Sequence, residues 1–178
     1  VLDSKSRPMN AGQIINVFDR CFGERYLIRL CGGAEEPLYL PAVGEQPAQL
    51  FFRADYAASA LHEAAHWCLA GTKRRQLVDF GYEYLPPPRN KAEQRVFYQA
   101  ELRTQSLEYC LAGAAGVRFT ISTDNFNDDG MLDWDTIEEQ RLFSQQLLEQ
   151  HHATKAWLNT YSGARARQFM QALECARG

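Results

Sequence analysis

The chain has 178 residues, 46% of them hydrophobic and 23% charged. That balance supplies the core of one domain and excludes disorder throughout. Nineteen basic residues against 22 acidic ones leave a formal charge of −3, so no overall positive field is available to hold a polyanion.

No apolar run approaches the ~20 residues needed to span a bilayer, and no signal-peptide pattern opens the chain. The expectation is a soluble protein with no membrane partner and no direct nucleic-acid binding. Residues 1–8 precede the first periodic segment and are set aside as an N-terminal extension or cloning remnant, which leaves 9–178 as a single domain. From Ile14 to Phe22 apolar residues recur at helical spacing, and Gly23 ends the segment. Pro37–Leu40 and Gln49–Phe52 read as two short strands separated by a loop with proline and glycine.

Asp55–Ala70 is rich in alanine and free of proline and glycine. It reads as a largely buried helix, stopped by Gly71 and followed by the basic run Lys73-Arg74-Arg75. Leu77–Tyr84 is an aromatic-rich strand candidate, broken by Pro86-Pro87-Pro88. Asn90, with Glu93 three residues on, approximates a capping box that opens a second long helix from about Lys91 to Ala112. Phe119–Ser122 reads as a short strand, 124–130 as a loop, and Thr136–His152 and Ala164–Cys175 as two amphipathic helices. The sum is an α+β domain with more helix than strand. Five widely spaced cysteines without a C-x-x-C pair read as reduced thiols of a cytoplasmic protein, not as a disulfide framework.

The chemistry concentrates at His62-Glu63-Ala64-Ala65-His66. On a helix, positions i and i+4 share a face, so both imidazoles can reach one cation. Neutral imidazole suits zinc, iron, nickel or copper, whereas calcium wants oxygen. A third ligand must come from elsewhere, and the carboxylates of the next long helix are the candidates. Glu101 and Glu108 lie two turns apart on roughly the same face, and spacing leaves the choice open. Glu63, about 100° around the helix from His62, is placed to act as a general base, to orient substrate, or to hydrogen-bond a ligand.

Other residues carry weaker signals. Lys73-Arg74-Arg75 suits an acidic protein surface or the phosphates of RNA as well as a helix C-terminus. Trp67, Tyr82 and Tyr84 suit the wall of a channel for a long aliphatic side chain as well as the core. Asp124 and Asn125 suit polar contacts near the site as well as turns. His151 and His152 read as surface, and Cys68 reads as packed.

The run Ala58-Ser59-Ala60-Leu61-His62-Glu63-Ala64-Ala65-His66-Trp67-Cys68-Leu69-Ala70-Gly71 resembles the bacterial elongation factor P hydroxylases. So does Arg74-Arg75-Gln76-Leu77-Val78-Asp79-Phe80-Gly81-Tyr82, with further blocks at Glu36–Pro41, Ala114–Gly116 and Ser122–Asn125. The blocks fall in order and the similarity covers most of the chain from about Met9. The resemblance implies a zincin-like α+β fold with a small mixed sheet packed by several helices. It implies a two-histidine, one-carboxylate site of His62, His66 and Glu101 holding one divalent metal ion, with Fe(II) and molecular oxygen for the chemistry. It also implies a protein substrate, the modified (lysylated) lysine of elongation factor P. From the residues themselves, Trp67, Arg74, Tyr82 and Asp124 are the expected substrate contacts and Glu63 the expected catalytic carboxylate. The same ligand types also make a hydrolytic zinc site, so a zincin-type peptidase or endoribonuclease with Glu63 as base is the alternative. A metal that only staples helices is a third reading, disfavoured because no fourth histidine or cysteine is placed to close the site.

Overall fold

The computed structural model describes residues 7–82, 89–122 and 134–178. The first helix, α1 (Ala11–Phe22), opens on a reciprocal cap. The Asn10 side chain accepts the Gln13 N–H, and the Gln13 side chain accepts the N–H of Asn10. Its buried stripe of Ile14, Val17, Phe18 and Phe22 faces the core, and Gly23 caps its C-terminus as expected.

Three strands follow: β1 (Ile28–Ala34), β2 (Leu38–Leu40) and β3 (Ala48–Arg53). β3 is central, parallel to β1 and antiparallel to β2, with Leu50 opposite Leu30 on one side and Tyr39 on the other. β1 is absent from the sequence-based expectation. Only Ile28 and Leu30 alternate inward before Gly32 and Gly33 interrupt the pattern. Gly32 has a steric reason: a Cβ there would stand 2.8 Å from Cζ of Phe52 on β3.

The metal-motif helix, α2 (Ala57–Leu69), matches its expected span to within two residues. Its C-terminal carbonyls are capped by two arginines. Arg165 donates to the carbonyls of Cys68 (3.0 Å) and Ala70 (2.6 Å), and Arg75 donates to Ala70 (3.0 Å). Both guanidiniums also lie over the Trp67 ring, at 5.0 and 5.6 Å.

The expected strand Leu77–Tyr84 is corrected, as far as its residues are described. The chain forms two 3-10 turns, Arg74–Gln76 and Val78–Gly81. Asp79, Phe80 and Gly81 have φ of 47°, 57° and 70°, a left-handed run that no strand can contain. The Asp79 carboxylate accepts the backbone N–H of Tyr39 at 2.8 Å, so a side chain occupies the free edge of β2 where a fourth strand would have paired.

After the expected Asn90–Glu93 capping box, α3 runs from Lys91 to Ala115, one turn beyond its expected end, and stops at Gly116 in the left-handed region. Phe119–Ser122, expected as a strand, joins no sheet among the described residues. The fully buried Gln105 carboxamide takes its pairing: it donates to the Ser122 carbonyl (2.9 Å) and accepts the Ser122 N–H (3.1 Å). That exchange mimics a strand partner with a side chain. Helices α4 (Trp134–Leu158) and α5 (Ala164–Arg177) complete the chain, α4 running a turn and a half past His152.

The described residues thus form an α+β structure of five α-helices and a small mixed sheet. α1, α2 and α5 meet at Phe18, Phe22, Trp67 and Phe169. Phe18 meets Trp67 and Phe169 edge-on, with ring centroids 5.4 and 5.5 Å apart. Truncating one such aromatic to alanine costs about 3–5 kcal/mol. This cluster anchors one side of α2, leaving the other side to face α3. Among the described residues, no helix is long and apolar enough to cross a membrane.

Candidate metal centre

Helix α3 presents a buried stripe of Gln94, Tyr98, Glu101, Gln105, Glu108 and Ala112, stepping by three and four residues. Four of these six side chains are amides or carboxylates. Polar groups are buried at such density only where partners or a bound ion meet them. α2 packs alongside α3, and its His62 and His66 meet the stripe.

The Nε2 atoms of His62 and His66 lie 3.1 Å apart. His62 Nε2 is 3.4 Å from Oε2 of Glu101, and His66 Nε2 is 3.3 Å from Oε1 of the same carboxylate. These three residues form a group able to hold a metal ion. The spacing itself tests the fit. Donors bound at ~2.1 Å and separated by about 90–110° around a cation stand about 3.0–3.4 Å from one another. The two imidazole nitrogens are separated by a distance in that range, and each has an oxygen of Glu101 within it, so the donor set suits one transition-metal ion.

Glu108, the other carboxylate that spacing allowed, takes a different place. Its Oε2 lies 2.8 Å from Nδ1 of His62. A carboxylate only accepts, so Nδ1 carries a proton and Nε2 is the nitrogen that faces Glu101 and His66. Glu101 and Glu108 therefore bracket one imidazole from its two nitrogens. On His66, Nδ1 lies 3.4 Å from the Thr104 hydroxyl, and Phe80 stacks at 6.4 Å between ring centroids.

Burial penalises a charged His62, but the Glu108 hydrogen bond and the charges of Glu101, Glu108 and Glu63 outweigh it and push its pKa up to about 10. Burial raises the Glu63 carboxyl pKa, opposed by His66 and His62 and reinforced by Glu101 and Glu108. Three buried carboxylates around two imidazoles make a concentration of negative charge that a divalent cation would neutralise.

The group opens into a cleft of about 480 Å³ whose lining includes Glu63, Phe80, Tyr82, Arg89, Phe97 and Ser122. Tyr82 meets His66 edge-on at 6.2 Å. Arg89 is buried with its guanidinium 4.1 Å above the Phe97 ring. One side of the site is therefore open to a molecule of side-chain size.

Residues 17–176 match the elongation factor P hydroxylase family. The chain belongs to that family. A Haemophilus influenzae protein named Elongation factor P lysine hydroxylase is 49% identical over 115 residues, which cover 64% of this chain and 65% of that protein. The match thus spans just under two thirds of the relative's length.

In this member of the hydroxylase family, His62, His66 and Glu101 come together, and Glu63 and Tyr82 line the same cleft. Arg74 reaches the site only through Tyr82, its guanidinium lying 4.2 Å over that ring. Trp67 is 1% exposed among Phe18, Phe22 and Tyr26 and is not among the residues that line the cleft, because its position turns it toward the core when His62 and His66 face α3. Asp124, Asn125 and Tyr84 lie outside the described residues. His151, expected at the surface, is half-buried with Nδ1 3.6 Å from Sγ of Cys110, and it is no part of the metal group. Cys68 is packed, as expected.

Two site features escape the sequence reading. Phe80 walls the cleft from within a segment that reads as a strand, and Asp79 holds it there by binding β2. The adjacent Asp79-Phe80-Gly81 triplet, ending in glycine, is the signal available for a turn.

Proposed function

We propose that the protein is a metal-dependent oxygenase that hydroxylates the modified (lysylated) lysine of elongation factor P, using Fe(II) and molecular oxygen. The observation that carries this reading is the His62–His66–Glu101 group, open to a side-chain-sized cleft, in a member of the elongation factor P hydroxylase family. A bound Fe(II) ion would supply the redox chemistry for oxygen activation, which zinc lacks.

The chain's own residues do the rest. His62, His66 and Glu101 hold the ion, and Glu108 keeps His62 in the tautomer that offers Nε2. Phe80 and Tyr82 give the aliphatic part of the substrate side chain an apolar wall, with Arg74 fixing Tyr82 from outside. Glu63, with its carboxyl pKa raised, holds or accepts a proton beside the site and faces the amine-bearing substrate. Asp124 is kept as a further substrate contact. We read the architecture as zincin-like, with residues 9–178 as one unit, working in the cytoplasm where translation factors are modified.

The test is the intact mass of lysylated elongation factor P after incubation with Fe(II)-loaded protein, reductant and air. The expected result is a gain of one oxygen atom, absent without oxygen and absent with Glu101→Ala. No mass change would overturn the reading. A zinc-dependent hydrolase is the second reading, favoured specifically by the buried Glu63 next to the metal group. It would be adopted if zinc-loaded protein cleaved peptide or RNA and Glu63→Gln abolished that cleavage.

A further inference from the structure

The basic run after α2 splits in two. Arg75 is half-buried and spent on the Ala70 carbonyl, with its own carbonyl accepting the Tyr39 hydroxyl at 2.8 Å. Lys73 and Arg74 are exposed, in a chain of net negative charge. Three and four residues beyond Arg74, Leu77 and Val78 are 52% and 53% exposed, while Phe80 is 4% exposed. The left-handed run at 79–81 produces that contrast by turning Phe80 into the cleft and leaving Leu77 and Val78 outside.

We propose that Lys73, Arg74, Leu77 and Val78 form the docking contact for an acidic surface of the protein substrate, at the mouth of the metal cleft. This rests on the hydroxylase reading above. A side chain that enters the cleft brings its parent protein's surface against the rim, and the patch adjoins that rim. Arg74 lies 4.2 Å over Tyr82, and Tyr82 lies 6.2 Å from His66. Leu77 packs over Gly81, its Cδ1 2.8 Å from where a Cβ would stand, so a larger residue at 81 would displace it.

The chemistry of the patch suits a protein. Two aliphatic side chains flanked by two cations resemble the apolar centre and charged rim of a protein interface, and the cations call for acidic residues opposite. A nucleic-acid surface would call for a longer series of cations tracking phosphates. The patch is also held before binding. Tyr39 ties it from both sides, giving its hydroxyl to Arg75 and its N–H to Asp79, and its ring stacks on Phe80 at 4.2 Å. Rigid contacts lose less entropy on association.

The experiment measures the affinity of lysylated elongation factor P for the full chain, and separately the KM and kcat of its hydroxylation. The variants are Lys73→Glu and Val78→Ser, with melting curves to confirm folding and Lys73→Ala as the milder change. Each of the two main variants should weaken binding and raise KM by about tenfold, with kcat changed less than about twofold. Affinity of the unaltered protein should fall as salt is raised. Unchanged affinity and KM in both folded variants would overturn the proposal, as would no binding by the unaltered protein. Loss of binding to a single-stranded RNA probe with protein binding intact would overturn it in favour of a nucleic-acid contact. Failure of the hydroxylase reading would appear separately, as absent oxygen transfer while the variants still lower the measured affinity.

Discussion

His62 Nδ1 and Glu108 Oε2 lie 2.8 Å apart, on the side of the imidazole away from His66 and Glu101. The carboxylate orients the ring without facing the metal position. Removing such a partner costs about 10–100-fold in metal affinity. Glu108→Gln, which still offers an acceptor oxygen, belongs at the low end of that range and Glu108→Ala at the high end. Calorimetric or chelator-competition titration of the metal measures it directly. Affinities equal to that of the unaltered protein would show that Glu108 does not order the site.

Arg165 on α5 reaches across to the carbonyls that end α2. Those carbonyls have no partners within their own helix, and the charge of the arginine complements the negative end of the helix dipole. Arg165→Ala should therefore cost about 2–3 kcal/mol, as expected for hydrogen bonds to a charged group. For a chain of this size that corresponds to a fall in Tm of roughly 4–12 °C. Arg165→Lys should recover the hydrogen bonds only in part, because a lysine lacks the planar guanidinium that lies over Trp67. Urea and thermal unfolding of the metal-free protein decide it, and a loss below about 0.5 kcal/mol would contradict the capping role.

The metal helix is legible in the sequence because local rules act alone there: no breakers, and two histidines on one face. The Asn90–Glu93 box and the α5 span are legible for the same reason. What is not legible depends on side chains that stand in for backbone. Asp79 takes the edge of β2 and Gln105 binds the backbone of Ser122, so two stretches with strand-like composition join no sheet among the described residues. β1 is lost because its partner is a parallel strand beyond β2 and glycines break its alternation. Glu101 and Glu108 cannot be separated by spacing, since both lie on one stripe. What distinguishes them is which nitrogen of His62 each one meets.

Cysteine reactivity follows from placement. Burial, with Cys21 nearby and the opposing pull of Arg165 and Arg75, pushes the Cys68 thiol up to about 12. Burial also raises the thiols of Cys21, Cys31 and Cys110, while Cys175 is exposed. A raised thiol pKa leaves less thiolate, which is the reactive form. Alkylation of the folded protein at about pH 8, read by peptide mass, should modify Cys175 first and leave Cys68 untouched until denaturant is added. Early labelling of Cys68 would mean that the α1–α2–α5 core opens readily.

Metal binding should carry a proton signature. In the metal-free site burial lowers the pKa of His62, but Glu108, Glu101 and Glu63 prevail and push it up to about 10. Nδ1 is committed to Glu108, so the added proton sits on Nε2, where a cation would bind. The sign follows: the proton is held below that pKa, and a metal ion must expel it. Apparent metal affinity should therefore rise by about tenfold per pH unit through the neutral range. An unperturbed histidine, with a pKa near 6.5, would instead let affinity level off above about pH 7. Chelator competition between about pH 6 and about pH 9 separates the two, and titration in buffers of different ionisation enthalpy counts the released proton. Affinity that is flat above about pH 7 would show that His62 is already neutral, and that its three carboxylate neighbours do not act on it together.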